Sequence, residues 1–156
     1  MKKLFAIIFL VAFSTAFYGQ ESPEPFRKCN TIKIIPKGDA DSLMVQFAKF
    51  LEEEGYTIRN INEKNTNLRT APFNMISQTQ TNAIIHALAP REEIEEDYLY
   101  VTAFSKQNEY GASEYKMKKS SANFTLGGML FNEVDFLANK FADTFDYQLV
   151  YLKNKH

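Results

Sequence analysis

The chain has 156 residues, 18 basic and 19 acidic side chains, a formal net charge of −1, one cysteine and two histidines. This near-neutral balance argues against nucleic acid or an anionic membrane as the main partner. A single cysteine excludes an intrachain disulfide framework, so a hydrophobic core must hold the chain together.

Residues 1–19 read as a secretory signal peptide. Lys2 and Lys3 form a basic start, Leu4 to Phe13 an apolar run, and small residues follow at Ser14, Ala16 and Gly19. The run is too short to cross a bilayer. The expectation is an exported protein, periplasmic or extracellular, cleaved after Ala16 or Gly19. Cleavage at the later site removes two basic residues and no acid, leaving about 137 residues and a net charge of −3. That length suits one domain. No later stretch is long and apolar enough to span a membrane, so no stable anchor is expected after cleavage.

Residues 20–29, with Pro23 and Pro25, read as an extended lead-in, and residues 30–156 as a single domain. Cys29 lacks the pattern of a lipoprotein signal. Arg27 and Lys28 would lower its thiol pKa were it exposed; a small residue at the start of a strand is the plainer reading. Pairing between chains is left open.

Thr31 to Pro36 reads as a strand, rich in β-branched residues and closed by proline. Ala40, Leu43, Met44, Phe47, Ala48 and Leu51 then fall on one stripe of a helix over about 39–54, with Asp39 as N-cap and Gly55 as the residue that ends it. Val45 and Phe50 lie off the stripe. Tyr56 to Ile61 and Thr66 to Ala71 read as a hairpin turning at Asn62–Asn65. Residues 73–82 read either as strand or as loop. Ala83 to Leu88 and Tyr98 to Lys106 read as strands, with an acidic connection over 91–97. Ser113 to Lys119 alternates Tyr115 and Met117 against Lys116 and Lys118, the pattern of a half-buried strand. Gly127-Gly128 breaks the chain before a second helix, and Val134, Leu137, Ala138, Phe141, Ala142 and Phe145 form its stripe over about 129–146, with Gly127-Gly128 or Asn132 marking its start. Residues 147–153 fit either a strand or a helical end, with the balance towards a strand.

Few strands are followed by a helix, so the sheet should be mainly antiparallel. The expected fold is α+β: a two-layer sandwich of five or six strands with both helices on one face. The first strand-helix-strand unit is expected to supply one parallel pair.

No constellation for chemistry is assembled. His86 sits between apolar neighbours and His156 is the last residue, so no metal set is expected. A hydrolase built on His86 would need a serine, cysteine or carboxylate within reach. Glu92 to Asp97 and the Asp39–Asp41 pair read as solvated or capping acids. No catalytic, cofactor-binding or metal residue is assigned. Lys116, Lys118 and Lys119 beside Tyr110, Tyr115 and Phe124 suggest an aromatic-basic strand, for which an outward sheet face is the simpler explanation. Tyr98, Tyr100, Phe104, Tyr110 and Tyr115 cluster around one hairpin as a candidate ligand or partner face.

The segment FAKFLEEEGYTIRNINEKNTNLRT, residues 47–70, resembles small secreted bacterial envelope domains, including the sheet-and-helix domains of BamC. The resemblance implies an envelope setting and a non-catalytic role, and transfers no functional residue. The expected function is a secreted or periplasmic, non-enzymatic interaction or accessory module that binds an envelope protein. The alternative is a carrier of a small apolar ligand, with a pocket between sheet and helices built from Tyr98, Tyr100, Phe104, Phe141 and Phe145.

Overall fold

Alternation along the longest strands sets the architecture. In a strand, successive side chains point to opposite faces, and in the computed structural model one parity is buried throughout. Ile32 and Ile34, Ala83, Ile85 and Ala87, and Leu99, Val101 and Ala103 are all at most 1% exposed. The intervening residues are only partly covered. The structure describes residues 20–37, 43–62, 67–75, 81–89, 98–107, 114–121 and 125–154.

These residues form nine strands and two helices: β1 (Glu21–Ser22), β2 (Thr31–Ile35), α1 (Leu43–Glu53), β3 (Ile58–Asn62), β4 (Asn67–Thr70), β5 (Phe73–Asn74), β6 (Thr81–Leu88), β7 (Leu99–Gln107), β8 (Glu114–Lys116), α2 (Leu126–Phe145) and β9 (Gln148–Leu152). The sheet runs in the order β1-β9-β2-β7-β6-β4-β3, with β5 beside β6 and β8 beside β7. Three of the nine, β1, β5 and β8, are only two or three residues long. Setting them aside leaves six, at the upper end of the sequence expectation. Every pairing is antiparallel. The expected parallel pair does not form, because β7, β6 and β4 lie between β2 and β3. Residues 148–152 form a strand, paired with both β2 and β1.

Both helices cover the same face. α1 lies over β3 and β4, and α2 over β7, β2, β8 and β9. One apolar cluster joins Leu43, Phe47 and Leu51 of α1 to Leu130, Phe131, Val134 and Phe141 of α2 and to the buried parity of the strands. Phe50 lies off the predicted stripe, yet it is buried, with its ring centroid 5.2 Å from that of Phe141. The neighbouring helix α2, rather than the sheet, covers that flank of α1. Phe145 departs the other way. It was placed on the buried stripe and is 42% exposed, at the last turn of α2, where it stacks on Tyr147.

The helix ends follow local chemistry. Gly55, at φ 90°, closes α1, with Gly55 N–H donating to Glu52 O and Tyr56 N–H to Leu51 O, the paired bonds of a Schellman motif. The start of α1 at Asp39 lies outside the described residues. α2 begins three residues before its predicted start. Thr125 caps it, its hydroxyl accepting from Gly128 N–H at 3.1 Å. Gly127 and Gly128 therefore belong to the first turn instead of breaking the chain. A Cβ on Gly127 would stand 2.9 Å from the Lys116 carbonyl oxygen, so glycine here lets the helix meet the strand. Asp146 ends the helix at φ 57°.

One side chain completes the ladder, and another is simply enclosed. Thr70, 1% exposed, accepts from Ile85 N–H at 3.0 Å. It does so where the β3–β4 register slips between Ile58 and Asn60. Cys29 is fully buried and unpaired. Burial is the main cause that pushes its thiol pKa up, against the opposing pull of Lys119. That reverses the lowering expected for an exposed thiol and withdraws the sulfur from pairing with another chain.

Candidate functional site

With both helices on one side, the other face of the sheet is left open. It carries Ile84, His86 and Leu88 of β6 and Tyr100, Thr102 and Phe104 of β7, the parity opposite to the core. The β6–β7 register sets His86 against Thr102 and Leu88 against Tyr100. On the flanks, Arg69 of β4 stands opposite His86, and Lys116 of β8 opposite Phe104. A groove of about 670 Å³ runs over these residues, Ile84 excepted, and is walled by Asn30, Thr31 and Asn154.

That wall is held by a reciprocal polar network. Asn30 Nδ2 donates to Asn154 O at 3.0 Å, and Asn154 N–H donates back to Asn30 Oδ1 at 2.8 Å. Asn154 Nδ2 donates to Thr31 Oγ1 at 3.1 Å, and Thr102 Oγ1 to Asn30 O at 3.2 Å. These bonds tie the segments flanking β2 and β9 to β7, so this wall is pre-formed rather than dependent on a ligand. The floor is apolar and aromatic: Leu88 is 37% exposed, and Tyr100 and Phe104 are half-buried. Burial, then the neighbouring Tyr98 and Glu21, pushes the Tyr100 hydroxyl up to about 12, so it remains a neutral donor near neutral pH.

A cation stands on each flank, Arg69 beyond β6 and Lys116 on the β2 side of β7. Neither Arg69 nor Lys116 enters an ion pair among the described residues. His86 Nε2 lies 2.8 Å from Asn67 Oδ1, which fits the tautomer with the proton on Nε2. Burial, and after it the Arg69 guanidinium, holds the His86 pKa below the usual histidine value. The ring therefore offers Nδ1 as an acceptor over most of the physiological range. Its hydrogen-bond partner is an amide, not the serine, cysteine or carboxylate that a hydrolytic set would need. Among the described residues, no aspartate or glutamate lines the groove. Among the described residues, no three His, Cys, Asp or Glu side chains converge as metal ligands.

The five residues of the predicted face are divided. Tyr100 and Phe104 line the groove. Tyr98 stands beside it, 8% exposed, its ring 5.0 Å from Tyr100 and under the Lys33 ammonium at 3.9 Å. Tyr115 points the other way: it pairs with Ser105, whose parity is that of the core, yet it is 38% exposed at the margin of the sheet. Tyr110 lies outside the described residues. The alternative pocket between sheet and helices meets the same parity rule. Tyr100 and Phe104 are on the open face, whereas Phe141 is fully buried beneath the helices among Phe47, Phe50 and Tyr147. Those five rings do not share one cavity.

The chain matches no known family model and no characterised protein. The geometry of the groove is thus what bears on function. Asn30, Arg69, Asn154 and Thr102 were not singled out from sequence, since each is an ordinary polar residue until the register gathers them.

Proposed function

We propose that this chain is an exported, non-enzymatic binding module of the cell envelope, and that its recognition surface is the groove on the open sheet face. One observation carries the reading. A groove of about 670 Å³ combines a pre-formed polar wall, an aromatic floor and a cation on each flank, within the size range of about 300–1,000 Å³ typical of small-ligand sites. Such a surface suits a ligand with a flat apolar body and an acceptor-rich or negatively charged end. The body would lie on Tyr100, Phe104 and Leu88, and the polar end would face Arg69 and His86. The basic-then-apolar pattern of residues 1–19 supports export, and the resemblance of residues 47–70 supports an envelope setting. No helix among the described residues is long and apolar enough to cross a membrane.

Native mass spectrometry of the protein purified from its own host tests the binding reading. A retained small molecule is expected, lost when Tyr100→Ala and Phe104→Ala are combined. An unliganded mass from the wild-type protein, or equal retention by the double variant, would sink it. Export is checked on the same sample by N-terminal sequencing, which should begin at Phe17 or Gln20. A chain that still begins at Met1 would refute cleavage.

A further inference from the structure

A second concavity lies around the corner from the groove, where the lead-in, the segment after β8 and the first turn of α2 meet. It encloses about 420 Å³, and five cations line it: Arg27, Lys28, Lys116, Lys118 and Lys119. The backbone draws them together. Lys28 N–H donates to Lys119 O at 3.0 Å, Lys119 N–H to Cys29 O at 2.9 Å, and Lys118 N–H to Gly127 O at 2.9 Å. Two basic stretches almost ninety positions apart in sequence are thereby fixed side by side. Lys28 adopts φ 74° at this junction, a left-handed conformation uncommon for a non-glycine residue.

Like charges so close repel one another. Among the described residues, no ion pair neutralises any of the five and no acidic side chain lines the cavity. In a chain with an overall charge of −1, such segregation marks a local site for negative charge. Lysine ammonium groups are compact point charges suited to phosphate, and an arginine at the mouth can bind it bidentately. We propose that this pocket binds a phosphate-type oxyanion carried on a small molecule or a lipid headgroup. The site is independent of the groove reading. Lys116 borders both, but the anion is held by Arg27, Lys28, Lys118 and Lys119, which the groove does not use.

The test is a titration of the full chain with inorganic pyrophosphate at constant ionic strength, followed by amide chemical shifts. Saturable shifts are expected at Lys118, Lys119 and Gly127. The Arg27→Ala, Lys118→Ala pair should weaken binding about tenfold or more, since each removes a charge-assisted contact. Both side chains are exposed, so the fold should survive, which the unchanged remaining spectrum would verify. Lys118→Arg should keep the affinity. Sedimentation with phosphatidylcholine vesicles, with and without phosphatidic acid, separates the sources. Pyrophosphate binding together with uptake by the phosphatidic acid vesicles assigns a headgroup; pyrophosphate binding alone assigns a soluble phosphorylated ligand. Shifts that only track ionic strength, equal binding by the double variant, or vesicle adsorption without pyrophosphate binding would each overturn the proposal.

Discussion

Truncating Phe141 to alanine gives the sharpest test of the architecture. The ring is fully buried, with centroid distances of 5.1 Å to Phe47, 5.2 Å to Phe50, 4.9 Å to Phe145 and 5.6 Å to Tyr147. It joins α2 to α1 and to the segment entering β9. Phe→Ala in a core costs about 3–5 kcal/mol, and each lost aromatic pair is worth about 0.5–1.5 kcal/mol. With four such partners, the expected loss is at the upper end, about 4–5 kcal/mol, a large fraction of a domain's total stability. Phe104→Ala is the control. Its ring is half-buried on the open face, so about 1 kcal/mol is expected. The chain has no tryptophan, so urea unfolding should be followed by far-ultraviolet circular dichroism. A loss below about 1.5 kcal/mol at Phe141, or equal costs at the two sites, would refute two helices sharing one filled core.

Three other outcomes are expected. Thr70→Val keeps the shape but leaves the buried Ile85 N–H without its acceptor, and should cost about 1–3 kcal/mol in the same unfolding assay; no loss would mean that the strand re-pairs. His86 has a folded pKa below its unfolded value, so its contribution to stability is intact above about pH 6.5 and falls as pH drops towards the folded value; melting temperatures of wild type and His86→Gln between about pH 5 and 8 should diverge in that direction, and parallel curves would contradict it. Cys29 should resist a thiol-specific chromophoric reagent in the folded protein and react at once in denaturant, because its thiol is buried and its pKa raised; rapid native labelling would contradict the burial.

The sequence made parts of this molecule legible for identifiable reasons. Stripes at Leu43, Phe47 and Leu51 and at Val134, Leu137 and Phe141 mark helices, because helical spacing aligns them and packing then buries them. The start of α2 is only partly legible, because Gly127 looks like punctuation as much as a first turn. Its role is visible only once the Lys116 carbonyl stands beside it. Tyr100 and Phe104 were legible as aromatic residues on a strand, but β7 carries large apolar or aromatic side chains on both parities. Alternation alone therefore could not say which face the helices would take. The rest of the groove comes from registers and long-range hydrogen bonds, such as Asn30 to Asn154, that no local pattern encodes. The basic pocket was half visible: Lys116, Lys118 and Lys119 stood out together, while Arg27 and Lys28 were noted only as neighbours of Cys29. The backbone bond between Lys28 and Lys119 unites them.

The position of β9 has a consequence for how the molecule is born. This strand lies between β1 and β2, yet it is the last of the described strands to leave the ribosome. Until it emerges, β1 has no neighbour in its sheet and one side of β2 stays unsatisfied. The final zipper thus joins segments separated by nearly the whole polypeptide, the kind of distant closure that slows folding. A chain so ordered stays open through its own synthesis, and a fragment stopping short of β9 would present β2 as a bare, isoleucine-bearing edge to its neighbours.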